Sequence, residues 1–570
     1  MIDEKVIRAV SSAPADDGRL AACRPVVFAI AVNSVVGLAT FIAMRASGPV
    51  LVADEIGYLA VGEHLAPGGP APQLDFGAVY DPGYGLVLSP WLAVTGQESW
   101  QAGVGLNFVW LAVLTWALFE MACDVGMRPR SAAVAAVVAG SAPAVMMQLG
   151  RAWPEVMLAA LFAVWSSLLL KHALRPRAWT LSAVAAVAGA MYVTHDRTLP
   201  IVAVTVAVLC RWLLSPRHRR SALVGLGVLA GIGILRNLLD AVLIDSLYGG
   251  ADRARSSSFL LDFLRSPETW PTFGRTVVAH LWTQQVGTFG LVTIGVIGVA
   301  IAIRRDARWR EFAVPFLAAA AGALLLSSIF LYDEPRLDHL VYGRYADLSA
   351  PSLILLGLAL GWGSARVLSQ RAVWAAAAMA VTGVALLLGT GPEDLTGNFN
   401  KFTTPTIAAL NLVEGGLGEP WLSVLHLGSI TLISLTVVVV FAVIVSASGQ
   451  PRFGAALMGA AFAAVSIGGA WWSIRPFAGF WERGGVAIAA EIVDAEAPLA
   501  LDMSAGFDEG MRAVIYRTDF PEIVYVESGD DCPPFELIVR RRSEEPPSYP
   551  ARPVLGDPVF ALDLWAVDCR

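Results

Sequence analysis

Residues 26–65 read "VVFAIAVNSVVGLATFIAMRASGPVLVADEIGYLAVGEHL". The stretch from 26 to 44 carries no charge, and at 1.5 Å per helical residue it is long enough to cross about 30 Å of hydrocarbon. Ten positions after it ends stand two adjacent carboxylates, Asp54 and Glu55. Similar apolar runs recur, and we expect spans near 26–44, 100–122, 131–149, 154–170, 178–194, 198–214, 221–236, 286–303, 312–331, 348–365, 372–390, 424–447 and 453–470. The 570-residue chain is 56% hydrophobic and only 15% charged, with a mean hydropathy of +0.62. Soluble proteins carry about 25% charged residues. The expectation is an all-α polytopic membrane bundle of about thirteen transmembrane helices. The polar start of the chain shows no cleavable signal sequence of the secretory kind.

Charge sets the orientation. Lysine and arginine gather on the cytoplasmic side of membrane proteins. Here "RPR" (128–130), "KHALRPR" (171–177), "RWLLSPRHRR" (211–220), "RRDARWR" (304–310) and "SARVLSQR" (364–371) all fall on the side of the N-terminus. Before residue 471 that side holds 20 basic residues against 11, and 8 acidic residues against 21. A cytoplasmic N-terminal segment (1–25), a transmembrane domain (26–470) and an extracytoplasmic C-terminal domain (471–570) follow. Outer loops are expected at 45–99, 237–285 and 391–423. The C-terminal domain alternates in strand fashion, as in "EIVYVES" and "FELIVRR", so a small α+β unit is expected. Cys532 and Cys569 lie in it, where an oxidising compartment favours a disulfide over two free thiols. Arginine outnumbers lysine 37 to 3, a composition that suggests a GC-rich bacterium and hence a bacterial plasma (inner) membrane.

Unusual polar groups collect at the outer edge. Glu155 follows "RAWP"; "THDRTLP" (194–200) packs His195, Asp196 and Arg197 into a short connection; Arg344 and Tyr345 end "YDEPRLDHLVYGRY". The inner loops are short, basic and topogenic, and the helix centres are nearly free of charge. Singly, each carboxylate also reads as a solvated loop residue, each tyrosine as an interfacial anchor and Arg344 as a snorkelling cation. Together they suit chemistry at the membrane edge, with a carboxylate as base and arginines holding a phosphate. No Walker loop, nucleophile elbow or dinucleotide fingerprint is present, which leaves ATP-driven and serine-hydrolase readings unsupported. No zinc-protease or EF-hand ligand spacing appears, so a divalent metal stays open and no cofactor is assigned.

The ordered motifs resemble the GT-C superfamily of integral-membrane glycosyltransferases. "ADEIGYLAVGEHL" is similar to the acidic pair and tyrosine in the first outer loop of the protein mannosyltransferase and aminoarabinose transferase branches. "YDPGYGLVLSPWLAVTG" (80–96), "RAWPEVMLAALFAVW", "HDRTLPIVAV" and "YGRYADLSAPSLILLGL" resemble later segments in the same order. The resemblance implies a transferase that takes a sugar from a polyprenyl-phosphate carrier to a hydroxyl of a glycan, lipid or protein, as in cell-wall assembly by an arabinosyltransferase or mannosyltransferase. It implies Asp54 as catalytic base, with Glu55 orienting the acceptor or a metal. Arg344, Tyr345 and Arg197 would bind the donor phosphate, and Tyr58, Tyr84, Glu155, His195 and Asp196 would line the substrate site. Membrane lipids are expected partners and nucleic acid is not. The alternatives are a flippase of lipid-linked sugars, a lipid-carrier ligase and a membrane scaffold.

Overall fold

The computed structural model describes residues 19–50, 52–69, 79–248, 263–304, 306–332, 337–389, 398–401, 404–412, 422–474, 486–494, 499–502, 514–518, 523–526, 537–541, 551–557 and 562–567. Among these, eight helices are long and apolar enough to cross a membrane: Arg24–Met44, Ser99–Asp124, Glu155–Leu174, Arg219–Leu247, Ala307–Leu331, Ala365–Gly389, Leu427–Ser448 and Pro451–Ser473. A ninth exists if Pro267–Gly287 and Leu291–Ile303, bent by 103°, count as one.

The expected thirteen full-length spans are therefore not reproduced, although each expected run falls on a helix. Five of those helices are short: Pro129–Gly140, Ala178–Thr194, Leu199–Leu213, Leu291–Ile303 and Ala350–Ala359. At 10 to 17 residues they cover about 15–26 Å, less than the hydrocarbon core. Local breaks explain the shortening. Pro143 restarts the chain after Ser141, and Phe289 and Gly290 both take positive φ (47° and 74°), producing the sharp bend before Leu291.

The stretches expected as outer loops are partly helical. Residues 45–99 contain helices Ala53–Leu65 and Pro82–Thr95. In 237–285 the Arg219–Leu247 helix runs on to Leu247, and a further helix occupies Trp270–Gly287. Residues 391–423 hold the short helix Pro405–Leu410, flanked by strands β1 (Asn398–Asn400) and β2 (Leu422–Val424), which pair antiparallel.

Burial separates the inner helices from the periphery. The apolar stretch of Glu155–Leu174 is 83% buried within the protein, against 22% for Arg219–Leu247. The former packs on Ser99–Asp124 and Ala178–Thr194, and the latter on the outer side of Ala178–Thr194. Leu223, Leu235, Trp374 and Leu432 are exposed on the outside of the bundle, as expected where lipid tails replace water.

The C-terminal region carries a five-stranded mixed sheet of β3 (Leu499–Asp502), β4 (Ile523–Val526), β5 (Leu537–Arg541), β6 (Ala551–Asp557) and β7 (Leu562–Val567), in the order β4-β3-β5-β7-β6. β3 runs parallel to β4 and β5; β7 is antiparallel to β5 and β6. Helix Val486–Asp494 packs on β6, which makes this an α+β unit. Tyr516 donates from its hydroxyl to Glu98 Oε1 at 2.5 Å, tying this region to the start of the Ser99–Asp124 span. Cys532 and Cys569 lie outside the described residues, so the expected disulfide is not seen.

Candidate active site

Four helix starts converge at one end of the bundle. Asp54 lies in the first turn of Ala53–Leu65 and Glu155 opens Glu155–Leu174, positions where the helix dipole favours a carboxylate. Arg197 follows in the single turn Asp196–Thr198 after Ala178–Thr194, and Arg344 opens the short turn Arg344–Asp347. The opposite end of Glu155–Leu174 leads into a basic loop, where Lys171 Nζ lies 2.8 Å from Glu120 and 3.8 Å from Asp124. Sixteen helical residues, about 24 Å, separate Lys171 from Glu155. Along this helix the candidate site and the basic loop thus stand at opposite ends.

Glu155 stands between two arginines. Arg197 grips both of its carboxylate oxygens, with Nη1 at 3.3 Å from Oε1 and Nη2 on Oε2. Arg344 Nε lies 3.7 Å from the same Oε1. Arg344 Nη2 pairs with Asp54 Oδ2. An aromatic wall fixes the guanidinium of Arg344, whose Cζ lies 4.4 Å from the Trp153 ring centroid, 4.7 Å from Tyr342 and 5.3 Å from Tyr345. Tyr345 also receives Arg197 at 4.6 Å and the edge of His195 at 5.6 Å. Both arginines are nearly sealed from solvent, at 3% and 1% exposure, while the Asp54 side chain is 36% exposed. Burial works against the Arg344 charge, but Tyr342, Asp54, Tyr345 and Glu155 hold its pKa raised well above the ordinary value. Arg344 Nε and Nη1 and Arg197 Nε are buried and find no hydrogen-bond partner among the described residues. Two fixed cations with unused donors are what an anionic oxygen requires.

A second network lies beside the first. Arg236, inside the Arg219–Leu247 helix, reaches Asp81 Oδ1 at 2.5 Å, the Tyr192 carbonyl at 2.8 Å, Asp240 at 3.3 Å and Asp196. Asp81 Oδ2 accepts the Asp196 N–H at 3.0 Å and lies 3.8 Å from His195 Nδ1. Asp81 occupies the N-cap position of Pro82–Thr95 yet makes no side-chain cap bond. Its carboxylate holds Arg236 and the His195–Arg197 turn instead, so the network sets the position of Arg197.

The remaining expected residues divide. Glu55 is fully buried, its Oε1 accepting from the Ala152 N–H at 2.8 Å and its Oε2 from the Val50 N–H at 2.5 Å. Neighbours on a helix point about 100° apart, so Glu55 faces the protein while Asp54 faces Arg344. Tyr58 packs edge-on against Tyr80 and Tyr84, with centroids 5.2 and 5.8 Å away. Tyr84 is fully buried, with its hydroxyl against Gly103. His195 Nδ1 accepts from the Arg197 N–H at 3.3 Å. Among the described residues no three histidines, cysteines or carboxylates converge as metal ligands.

Arg236, Asp240, Asp81, Trp153 and Tyr342 were not expected at the site. Arg236 and Asp240 also revise the reading of the helix centres as nearly free of charge. The available signal was an arginine and an aspartate four residues apart at the margin of an apolar run, since charge within a span is costly and usually functional. A cleft of about 1090 Å³ lies farther out, between the first-loop helices and the C-terminal region, with Glu63, Gln97, Glu98, Tyr516 and Arg517 among its lining.

The overall fold is shared with solved structures of ArnT, in keeping with the architecture expected from the ordered motifs. The chain is similar to ArnT from Cupriavidus metallidurans in the apo state, with a TM-score of 0.53 at 16% identity over 96% of this chain and 98% of that one. It matches ArnT bound to undecaprenyl phosphate with a TM-score of 0.53 at 14% identity, over 95% and 98%. Arabinosyltransferase EmbB from Mycobacterium smegmatis aligns at a TM-score of 0.42 and 15% identity, over 79% of this chain and 42% of that one. No family model and no curated protein matches the sequence.

Proposed function

We propose that this protein is an inverting glycosyltransferase that moves a sugar from a polyprenyl-phosphate carrier to a hydroxyl acceptor at the outer face of a bacterial plasma membrane. The observation that carries the reading is the pair of buried arginines, Arg344 and Arg197, with unused donors beside the accessible carboxylate of Asp54. The fold shared with a protein crystallised with undecaprenyl phosphate supports the donor class.

The donor phosphate binds Arg344 Nε and Nη1, and Arg197 stays locked on Glu155 as a second positive charge. Asp54 accepts the proton of the acceptor hydroxyl as its oxygen bonds to the anomeric carbon. The bond from that carbon to the phosphate oxygen breaks, and both electrons leave with polyprenyl phosphate. Inversion follows from attack opposite the departing group. Stabilising charge on the leaving phosphate lowers the barrier most, because the phosphate needs no proton to depart. A site at headgroup level would suit a carrier whose tail remains in hydrocarbon. The concentration of basic loops at the other end of the helices supports an orientation with the N-terminus in the cytoplasm. A glycan acceptor suits the mixed lining of the cleft, where Glu63, Gln97, Glu98 and Arg517 stand beside apolar walls such as Leu92 and Val493, and surface or cell-wall glycan assembly is the natural setting.

The test is sugar transfer in proteoliposomes over a panel of radiolabelled polyprenyl-phosphate sugars with native acceptor extract. Wild type transfers from one donor, while Asp54→Asn and Arg344→Gln, folded to the same level, lose transfer by at least about a hundredfold, within the range for a catalytic base. Movement of lipid-linked sugar across the bilayer without transfer would instead indicate a flippase.

A further inference from the structure

Arg344 has two claims on it. It is the buried cation best placed to receive a donor phosphate, and it is also the partner of Asp54, the base. While that ion pair stands, Asp54 Oδ2 is committed to Arg344 and the carboxylate is held against the guanidinium instead of turning toward an acceptor hydroxyl. The two partners differ in freedom. Arg344 is 3% exposed and walled by Trp153, Tyr342 and Tyr345, whereas Asp54 lies in the first turn of its helix with a side chain 36% exposed. When the pair opens, the carboxylate moves and the guanidinium stays.

The charges indicate what opens it. Arg344 and Arg197 are balanced by Asp54 and Glu155, so the four groups sum to zero. Glu155 cannot yield, because it is only 9% exposed and Arg197 holds both of its oxygens. A phosphodiester brings one more negative charge against Arg344. The group that leaves is Asp54, the accessible carboxylate held through one guanidinium nitrogen.

We infer that the Asp54–Arg344 ion pair is a latch that the donor phosphate opens, so that arrival of the lipid-linked sugar releases the catalytic base and donor binds before acceptor. The inference rests on the glycosyl-transfer reading and adds an order of events to it. Without donor, the base is occupied and an acceptor hydroxyl is not activated. Once the phosphate is seated on Arg344, Asp54 is released to take the proton of the acceptor hydroxyl. After transfer, departure of polyprenyl phosphate lets Asp54 return to Arg344, which resets the site.

A latch has an uncommon signature: removing the carboxylate must abolish transfer and strengthen phosphate binding. Farnesyl phosphate serves as the probe, titrated into the purified full-length protein in detergent and read by calorimetry or tryptophan fluorescence. Loss of a competing charged hydrogen bond worth roughly 1.5–3 kcal/mol should tighten binding by about tenfold or more in Asp54→Asn. Asp54→Ser supplies the same answer if the asparagine variant does not fold. Arg344→Gln should bind at least about tenfold more weakly than wild type.

Equal or weaker binding by both Asp54 variants, with Arg344→Gln still impaired, would overturn the latch and leave the transferase reading intact. Equal binding by wild type and Arg344→Gln, or no binding by either, would remove the phosphate site and the latch with it. Steady-state kinetics supply a second readout. An unreactive acceptor analogue lacking the attacking hydroxyl should inhibit competitively against acceptor and uncompetitively against donor, and non-competitive inhibition against donor would contradict donor-first order.

Discussion

Arg236 Nη2 lies 2.5 Å from Asp81 Oδ1, although the two residues are 155 positions apart in sequence. The contact joins a cation inside the Arg219–Leu247 helix to the start of Pro82–Thr95, and through the Asp196 N–H to the turn that bears Arg197. Removing one partner of a buried ion pair strands the other at a cost of about 3–5 kcal/mol. Arg236→Gln and Asp81→Asn should each lower the melting temperature strongly in detergent, and the double variant should lose much less than the sum. Additive losses would show that the two residues do not act together.

Glu55 was expected at the reaction centre because it adjoins Asp54, but its oxygens anchor the Val50 and Ala152 N–H groups. Glu55→Gln retains one acceptor oxygen and replaces the other with a donor that faces an N–H. The expected loss is about 1–3 kcal/mol of stability, with activity falling only as the folded fraction falls. Transfer normalised to folded protein, measured below the melting temperature, separates the roles. A fully folded Glu55→Gln enzyme with no transfer would restore Glu55 to the chemistry.

The parts of the site legible in the sequence are those where physics makes a residue conspicuous. Asp54, Glu155, Arg197 and Arg344 are charges at the edges of apolar runs, and their order along the chain was enough to group them. Arg236 and Asp240 were obscured because hydropathy averages over a window: the leucines and glycines before Arg236 made the run appear to end there, while the helix continues to Leu247. Trp153 and Tyr342 were hidden for another reason, since an aromatic at a membrane edge has an ordinary use as an anchor. The expected span count is not confirmed among the described residues, and backbone geometry is the reason. Composition does not reveal that Phe289 and Gly290 adopt positive φ and fold one apolar run sharply away from its neighbour.

Close packing behind the site gives a steric prediction. A Cβ added at Gly295 would lie 2.1 Å from the Leu353 carbonyl oxygen, and one at Gly357 would lie 2.8 Å from the Gly295 nitrogen. Small residues allow such approach of helices in membranes. Leu353 belongs to Ala350–Ala359, which follows the Arg344–Asp347 turn, so separating these helices displaces Arg344. Gly295→Ala should lose about 1–3 kcal/mol from overpacking and weaken farnesyl phosphate binding. Gly231→Ala, in a helix where nothing lies within 4 Å, should match wild type in both. Wild-type behaviour of Gly295→Ala would show that the helices part without disturbing the site.

Asp347 supplies the pH dependence. It ends the turn that begins with Arg344, and Gln284 Nε2 donates to its Oδ1. Burial pushes its pKa up from 3.8 to about 7; Glu155 adds to the rise, while Gln284 and Arg197 oppose it. Between those two values the folded chain keeps a proton that the unfolded chain has released. Stability contributed at this group therefore falls as pH rises from about 4 to about 7 and levels off above. Asp347→Asn keeps an acceptor for Gln284 and cannot titrate. Melting temperatures measured in detergent from pH 5 to 8 should decline more steeply for wild type than for Asp347→Asn, with the variant the more stable at pH 8. Parallel slopes would mean that Asp347 is ionised throughout and that the turn bearing Arg344 carries a fixed negative charge.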